Sequence, residues 1–259
     1  MVIGVMNLSF VKNNRMFTAY FLRWLFRVAV FLSVLAVDIF RPDLMTMFPE
    51  FRLVGPVTLV TVLWALLMLK MVIHMLPGPR QTMGMRKSLS ETYREPEESF
   101  DRLELLEYVQ HMNVKAWQVM LVWLIFNSIF GLLYLLGILD AKELILLSIF
   151  YYACDTTCMI MFCPFQSFIM KNHCCVSCRI FDWGWFMMFT PLLFIRGFFS
   201  WSLFFMSCIV LIRWEVIYAR HPDRFWRGSH AAIRCENCQD RICRIKKPLR
   251  AAIGDKPND

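Results

Sequence analysis

The stretch Trp183-Gly-Trp-Phe-Met-Met-Phe-Thr-Pro191-Leu-Leu-Phe-Ile-Arg196-Gly197-Phe-Phe-Ser-Trp201-Ser-Leu-Phe-Phe-Met-Ser-Cys208-Ile-Val-Leu-Ile212 decides how this chain is arranged. As one helix it would measure about 45 Å, against a bilayer hydrocarbon core of about 30 Å. Pro191 and the pair Arg196–Gly197 interrupt it. One geometry is a single long tilted helix. The other is a helical hairpin or re-entrant pair broken near Arg196–Gly197, each arm being short for a full crossing and dipping in before it returns. Non-helical backbone at such depth is tolerated only when buried in protein or lining water. A single crossing would separate the preceding loop from the tail, and the tail after Ile212 holds 11 of the 28 Lys and Arg residues together with Cys235, Cys238 and Cys243. Basic segments stay on the cytosolic side, so the hairpin is the expected form.

Working outward, four further runs have the roughly 20 apolar residues that a spanning helix needs. They are Thr18–Phe40, Val54–Leu76, Val114–Leu139 and Leu144–Phe165. Arg23 and Arg27 near the start of the first are one helical turn apart and are expected to snorkel to the headgroups. The first run ends at Phe40 with no small-residue cleavage pattern, so it reads as a retained span rather than a signal peptide. The segment 1–76 thus carries two spans, 77–113 is a basic loop, 114–165 carries spans three and four, 166–182 is a cysteine-rich loop, 183–212 is the broken hairpin and 213–259 is the tail. Within the 77–113 loop, Leu103, Leu105, Leu106, Val109 and Met112 recur at helical spacing, which predicts a separate amphipathic helix on the membrane surface before the third span.

Composition agrees with an all-α, multi-pass integral membrane protein: 58% of residues are hydrophobic and 19% charged, where soluble domains have about 45–50% and about 25%. The net charge of +8 concentrates in the tail. It fits orientation first, anionic lipid headgroups second, and gives no reason to expect nucleic acid. The distribution places the N-terminus, the long loop, the 166–182 loop and the tail in the cytosol, and the turn at Asp140 outside.

The ten cysteines fall largely on the face assigned to the cytosol, where stable disulfides are rare. Two clusters each contain a C-x-x-C: Cys175 with Cys178, and Cys235 with Cys238. Such a turn aims two thiolates at one ion, and two turns make a four-thiolate site. The hairpin would bring the loop and tail together, giving Cys175, Cys178, Cys235 and Cys238 as ligands, with Cys163, Cys174 and Cys243 as alternates. The surplus of thiols, and Pro164 after Cys163 as after the last cysteine of bacterial ferredoxin runs, lean towards an iron–sulfur cluster. Zinc, holding the tail to the loop, is the alternative. Both clusters end in Cys-Arg-Ile, at Cys178 and Cys243, which would set a cation beside thiolates. His173 and His230 adjoin the clusters, either as substitute ligands or as solvated loop residues.

Asp155 lies within the fourth apolar run, flanked by Cys154 and Cys158. An ionisable side chain at depth is a functional candidate. Here it is the candidate proton-handling catalytic residue; the plainer reading is an ion pair with a basic residue such as Arg196 that holds the bundle together. His74 has no histidine partner in another span, which argues against a bis-histidine haem. Trp183, Trp185, Trp201 and Trp214 read as an interfacial aromatic belt, and the segment from Tyr218 to Trp226 as lying on headgroups. Nucleotide-binding, zinc-protease and serine-hydrolase motifs are absent. The resulting expectation is a membrane redox protein or complex subunit passing electrons to a membrane acceptor or partner. A structural-zinc scaffold and a soft-metal transporter using Cys154, Asp155 and Cys158 are the other two readings.

Overall fold

Helix is the inexpensive way to carry an apolar chain through lipid, because every interior backbone group is satisfied within the segment. The computed structural model describes residues 15–41, 52–54, 57–76, 93–96, 100–172, 178–234 and 236–237. Among them, four helices are long and apolar enough to cross a membrane. These are α1 (Arg15–Phe40), α3 (Arg102–Leu135), α4 (Ala141–Ile160) and α6 (Phe198–Arg220). The shorter apolar helix α2 (Leu59–Met75) precedes α3, and α5 (Gly184–Phe189) precedes α6.

Local chemistry sets the boundaries. The second helix starts later than the expected Val54. Arg52–Val54 (β1) pairs antiparallel with Val57–Thr58 (β2), and Thr58 caps α2 by accepting from the Thr61 N–H at 3.2 Å. The Gly55-Pro56 sequence disfavours helix at this point. Asp101 caps α3, accepting from the Leu103 N–H at 2.8 Å. That helix then runs unbroken for 34 residues, about 51 Å. The predicted surface helix is therefore not separate: nothing between Leu103 and Val114 breaks helix, so the amphipathic stretch is the first third of α3. At its far end Gly137 takes φ +71°. The N–H groups of Gly137 and Ile138 reach the Tyr134 and Leu133 carbonyls, both at 3.0 Å, the hydrogen-bond pattern of a Schellman stop. Asp140 and Glu143 form a capping box that starts α4. Pro164 ends α4 early, since its ring would clash with the Ile160 carbonyl were the helix to continue.

Side-chain pairs fix the packing. Trp24 Nε1 donates to Thr157 Oγ1 at 3.0 Å and Arg27 meets Asp155, while Asp38 faces Lys142 at 4.0 Å. These pairs set α1 antiparallel to α4. Trp64 Nε1 donates to Ser202 Oγ at 2.7 Å, and Arg213 reaches the His74 carbonyl at 3.5 Å, so α2 and α6 run parallel. One end of the bundle carries Arg15, Met75, Arg102, Ile160 and Arg220; the other carries Phe40, Leu59, Leu135, Ala141 and Gly197.

The decisive stretch is a hairpin. Its first arm is a 3-10 turn (Phe181–Trp183), α5, and a second 3-10 turn (Thr190–Phe194) opened by Pro191. Its second arm is α6. Trp201 Nε1 donates to the Leu193 carbonyl at 3.2 Å near the bend, and Trp214 Nε1 to the Arg179 carbonyl at 2.8 Å at the other end. The arms are unequal: α6, at 23 residues, is long enough to cross, contrary to the expectation that both would be short. The first arm is irregular because it is enclosed by protein. Phe186, Met188, Phe189, Thr190 and Leu192 are all buried. Thr190 Oγ1 accepts from Trp123 Nε1 at 3.1 Å and donates to the Phe186 carbonyl at 2.7 Å. Gly131 on α3 admits the Phe194 ring, which any Cβ there would strike. The outer faces are apolar, with Leu22, Phe26, Leu66, Ile125 and Phe205 more than half exposed, a surface suited to lipid rather than water.

Candidate functional site

The polar and thiol-bearing residues gather towards the end of the bundle that carries Arg15 and Arg220. Asp155 lies near the last turns of α4, not at its middle, because α4 stops at Ile160. Its Oδ2 accepts from Arg27 Nη1 at 2.6 Å, and the same nitrogen donates to the Tyr152 carbonyl at 3.0 Å. Arg27 therefore turns inward, its guanidinium 4.1 Å from the Tyr152 ring centroid, instead of snorkelling. The partner of Asp155 is Arg27 and not Arg196, which sits in the hairpin bend at the opposite end. Gly184 allows this arrangement: a Cβ there would lie 2.6 Å from Asp155 Oδ1.

A second pair was not anticipated. His74 on α2 and Asp182 at the head of the first arm are 2.7 Å apart. Asp182 is only 6% exposed, and its Oδ2 has no hydrogen-bond partner. The Arg213 guanidinium, bonded to the His74 carbonyl, lies beside the pair. The complement of His74 is a carboxylate 108 positions away and not a second histidine, so the spacing of histidines gives no sign of it. The signal was an acidic residue, Asp182, at the start of an apolar run.

The third assembly joins the cysteine-rich loop to the root of the tail. Arg179 makes a two-pronged ion pair with Glu215 of α6, with Nη1–Oε1 at 2.7 Å. Trp183 Nε1 donates to the same Glu215 Oε1 at 2.8 Å, and the Arg179 guanidinium stacks 3.8 Å from the Tyr218 ring. The charge that follows Cys178 is thus committed to a carboxylate and a ring rather than offered to a thiolate. Cys178 is buried in a cluster with Met112, Met170, Trp214, Tyr218 and Phe225. Trp183 and Trp214, at 3% and 1% exposure, are core residues and not part of an aromatic belt; Trp201, at 45%, stays at the surface of the bend.

The tail folds back on α3 instead of lying flat on headgroups. The Trp226 ring meets Phe100 and Tyr108, and the Ala231 N–H donates to the Arg94 carbonyl at 2.9 Å. His230 is fully buried against Tyr93 and takes the Ala232 N–H on Nδ1 at 3.3 Å, so it is not a solvated loop residue. Burial and the nearby Asp223 push the Tyr93 phenol above its ordinary pKa.

Among the seven candidate metal ligands, Cys163 and Cys178 are described; Cys174, Cys175, Cys235, Cys238 and Cys243 lie outside the described residues, as does His173. Cys163 shares a thiol hydrogen bond with Cys158. Between Cys163 and Cys178 the chain forms a π-helical turn, Phe165–Met170. Lys115 of α3 donates to the Met170 carbonyl at 3.2 Å. Among the described residues no three His, Cys, Asp or Glu side chains are grouped to hold a metal. The donor chemistry of the loop fits a thiophilic ion in one respect: Cys178, last of the Cys174–Cys178 group, is anchored against Tyr218 and Phe225, where the tail leaves the bundle.

No protein-family model matches this chain, and comparison with curated proteins and with solved structures finds no match.

Proposed function

We infer that the protein is a multi-pass membrane redox protein or complex subunit in which loop and tail cysteines hold a thiolate-bound metal centre. The observation that carries this reading is the burial of Cys178 against Trp214, Tyr218 and Phe225. It brings the end of one C-x-x-C to the base of the segment that bears the other. Cys175, Cys178, Cys235 and Cys238 would be the ligands, with Cys163, Cys174 and Cys243 as alternates. An iron–sulfur cluster bound there would supply one-electron transfer. The chain's own residues add proton-holding groups at the same end: the His74–Asp182 pair and the Asp155 carboxylate held by Arg27. Cys178 shares its buried cluster with Trp183, Trp214 and Tyr218, against which Tyr108 packs, low-polarity surroundings that would limit water at the centre. The basic end would face the cytosol, with the membrane acceptor or partner subunit in the bilayer.

A second reading is a structural zinc. It is favoured by the hydrogen bonds from Arg179 to Glu215 and from Trp214 to the Arg179 carbonyl, which tie the residue after Cys178 to α6.

Anaerobic purification followed by iron, zinc and acid-labile sulfide analysis separates the two. Iron and sulfide in equal amount, with visible absorption lost in Cys235→Ser and Cys238→Ser, support the redox reading. One zinc and no sulfide establishes the structural one. A metal-free protein whose cysteines all react as free thiols overturns both.

A further inference from the structure

We propose that the crevice between α1 and α2 is a binding site for the phosphate of an anionic phospholipid. Helix α1 packs on α4 while α2 packs on α6, and the floor between them is formed by Tyr152 and Trp185. Two cations reach the Tyr152 ring: the Arg27 guanidinium at 4.1 Å and the Lys70 ammonium at 5.6 Å from its centroid. Lys70 also lies 5.5 Å from the Trp185 ring. Arg27, Arg23 and Asp155 are the charged neighbours that Lys70 feels. The Asp155 carboxylate is already bonded to Arg27 at 2.6 Å and Asp182 is taken by His74, while the Arg23 guanidinium lies 5.4 Å from the Tyr20 ring centroid, so Lys70 and Arg23 are left as surplus charge. Among the described residues neither Arg23 nor Lys70 forms an ion pair, and both are exposed on the outside of the bundle.

A surplus of positive charge beside a hydrocarbon medium demands an anion. Lys70 is five residues before the end of α2, Asp155 five before the end of α4 and Arg23 eight after the start of α1, so the groups lie roughly 8–12 Å inside the helix ends, within the reach of long basic side chains to the headgroups. A phosphodiester brought there by a lipid accepts hydrogen bonds from ammonium and guanidinium groups together. Its acyl chains, running deeper into the bilayer, would pass Leu32 on α1 and Leu66 on α2, both more than half exposed. Free phosphate shares the headgroup chemistry but has nothing to offer that apolar wall. The lipid is therefore the occupant the geometry favours. The aromatic floor adds cation–π attraction without competing for the anion.

The test uses the full chain in detergent micelles, with bound lipid counted by native mass spectrometry. Phosphatidylglycerol should be retained in preference to phosphatidylcholine. Lys70→Gln and Arg23→Gln should each weaken that retention about fivefold. Arg196→Gln, at the opposite end, should leave it unchanged. Millimolar inorganic phosphate should fail to displace the lipid. Because Lys70 and Arg23 form no ion pair among the described residues, both variants are expected to fold, and Lys70→Arg should restore retention. Equal retention of the two lipids, indifference to both Gln variants, or displacement by inorganic phosphate would each overturn the proposal.

Discussion

Asp155 on α4 and Arg27 on α1 meet at 2.6 Å near one end of a bundle whose outer surface is apolar. This pair and the Trp24–Thr157 hydrogen bond tie α1 to the rest of the protein at that end. Removing one partner leaves the other charge unpaired in a poorly solvating site. Arg27→Gln and Asp155→Asn should each destabilise, and the double variant should lose less than their sum. A coupling of about 1–2 kcal/mol is expected for a membrane-embedded pair. Denaturant unfolding of the three variants in micelles measures it, and strict additivity would show that the pair contributes nothing.

The same contact predicts an asymmetry between two glycines. A methyl at Gly184 would press on the Asp155 carboxylate, whereas a methyl at Gly197 meets nothing within 4 Å. Gly184→Ala should therefore lower the thermal midpoint by several degrees and weaken the Arg27–Asp155 coupling. Gly197→Ala, at φ 163° in extended backbone that any residue adopts, should be close to neutral. Equal effects would mean that α4 and α5 do not approach as closely as described.

What the sequence revealed and what it hid follow one physical line. Apolar length and the breakers Pro191 and Arg196–Gly197 act locally, so the spans and the hairpin could be read directly. Capping acts locally too, yet the start of α2 was misplaced because Val54 and Val57 are as apolar as the helix they precede. Residue pairings were the harder matter. Arg27 and Asp155 are 128 positions apart, and His74 and Asp182 108, separations at which spacing carries no information. Trp183 and Trp214 were assigned to the membrane interface because a tryptophan near a span end looks the same whether its N–H meets a headgroup or Glu215. The thiol clusters were visible as a pattern, but a pattern of donors does not give their mutual distance.

Glu215 tests how the loop and hairpin hold together. It receives both prongs of Arg179 and the Trp183 N–H, so it is the shared acceptor of three donors. Glu215→Gln retains shape but offers donors where acceptors are needed, and should cost roughly 2–3 kcal/mol. Trp214→Phe removes the hydrogen bond to the Arg179 carbonyl and part of a fully buried ring, and should cost about 2 kcal/mol. Arg179→Lys should fall nearer the Glu215 variant, since an ammonium cannot reproduce the fork. Calorimetric or denaturant unfolding gives the order. If Trp214→Phe proved the most damaging, ring packing and not the ion pair would dominate the junction.

The hairpin makes a topological prediction that does not depend on any metal. Gly197 lies at the bend and His221 follows α6 at the far end. One crossing separates them, so they must face opposite compartments. In sealed vesicles, an impermeant maleimide added outside should reach only one of Gly197→Cys and His221→Cys, and permeabilisation should expose the other; peptide mapping distinguishes the new thiols from the native ones. The described tail beyond α6 carries Arg224, Arg227 and Arg234, whereas the opposite end carries Arg41, Arg52, Lys142 and Arg196 at the described positions. Charge alone divides these only weakly. The eleven basic residues after Ile212 tip the balance, so the His221 side is expected to be cytosolic. Labelling of both positions from one side would mean that α6 does not cross, and the hairpin would then be a shallow re-entrant pair with the bend returning to its starting face.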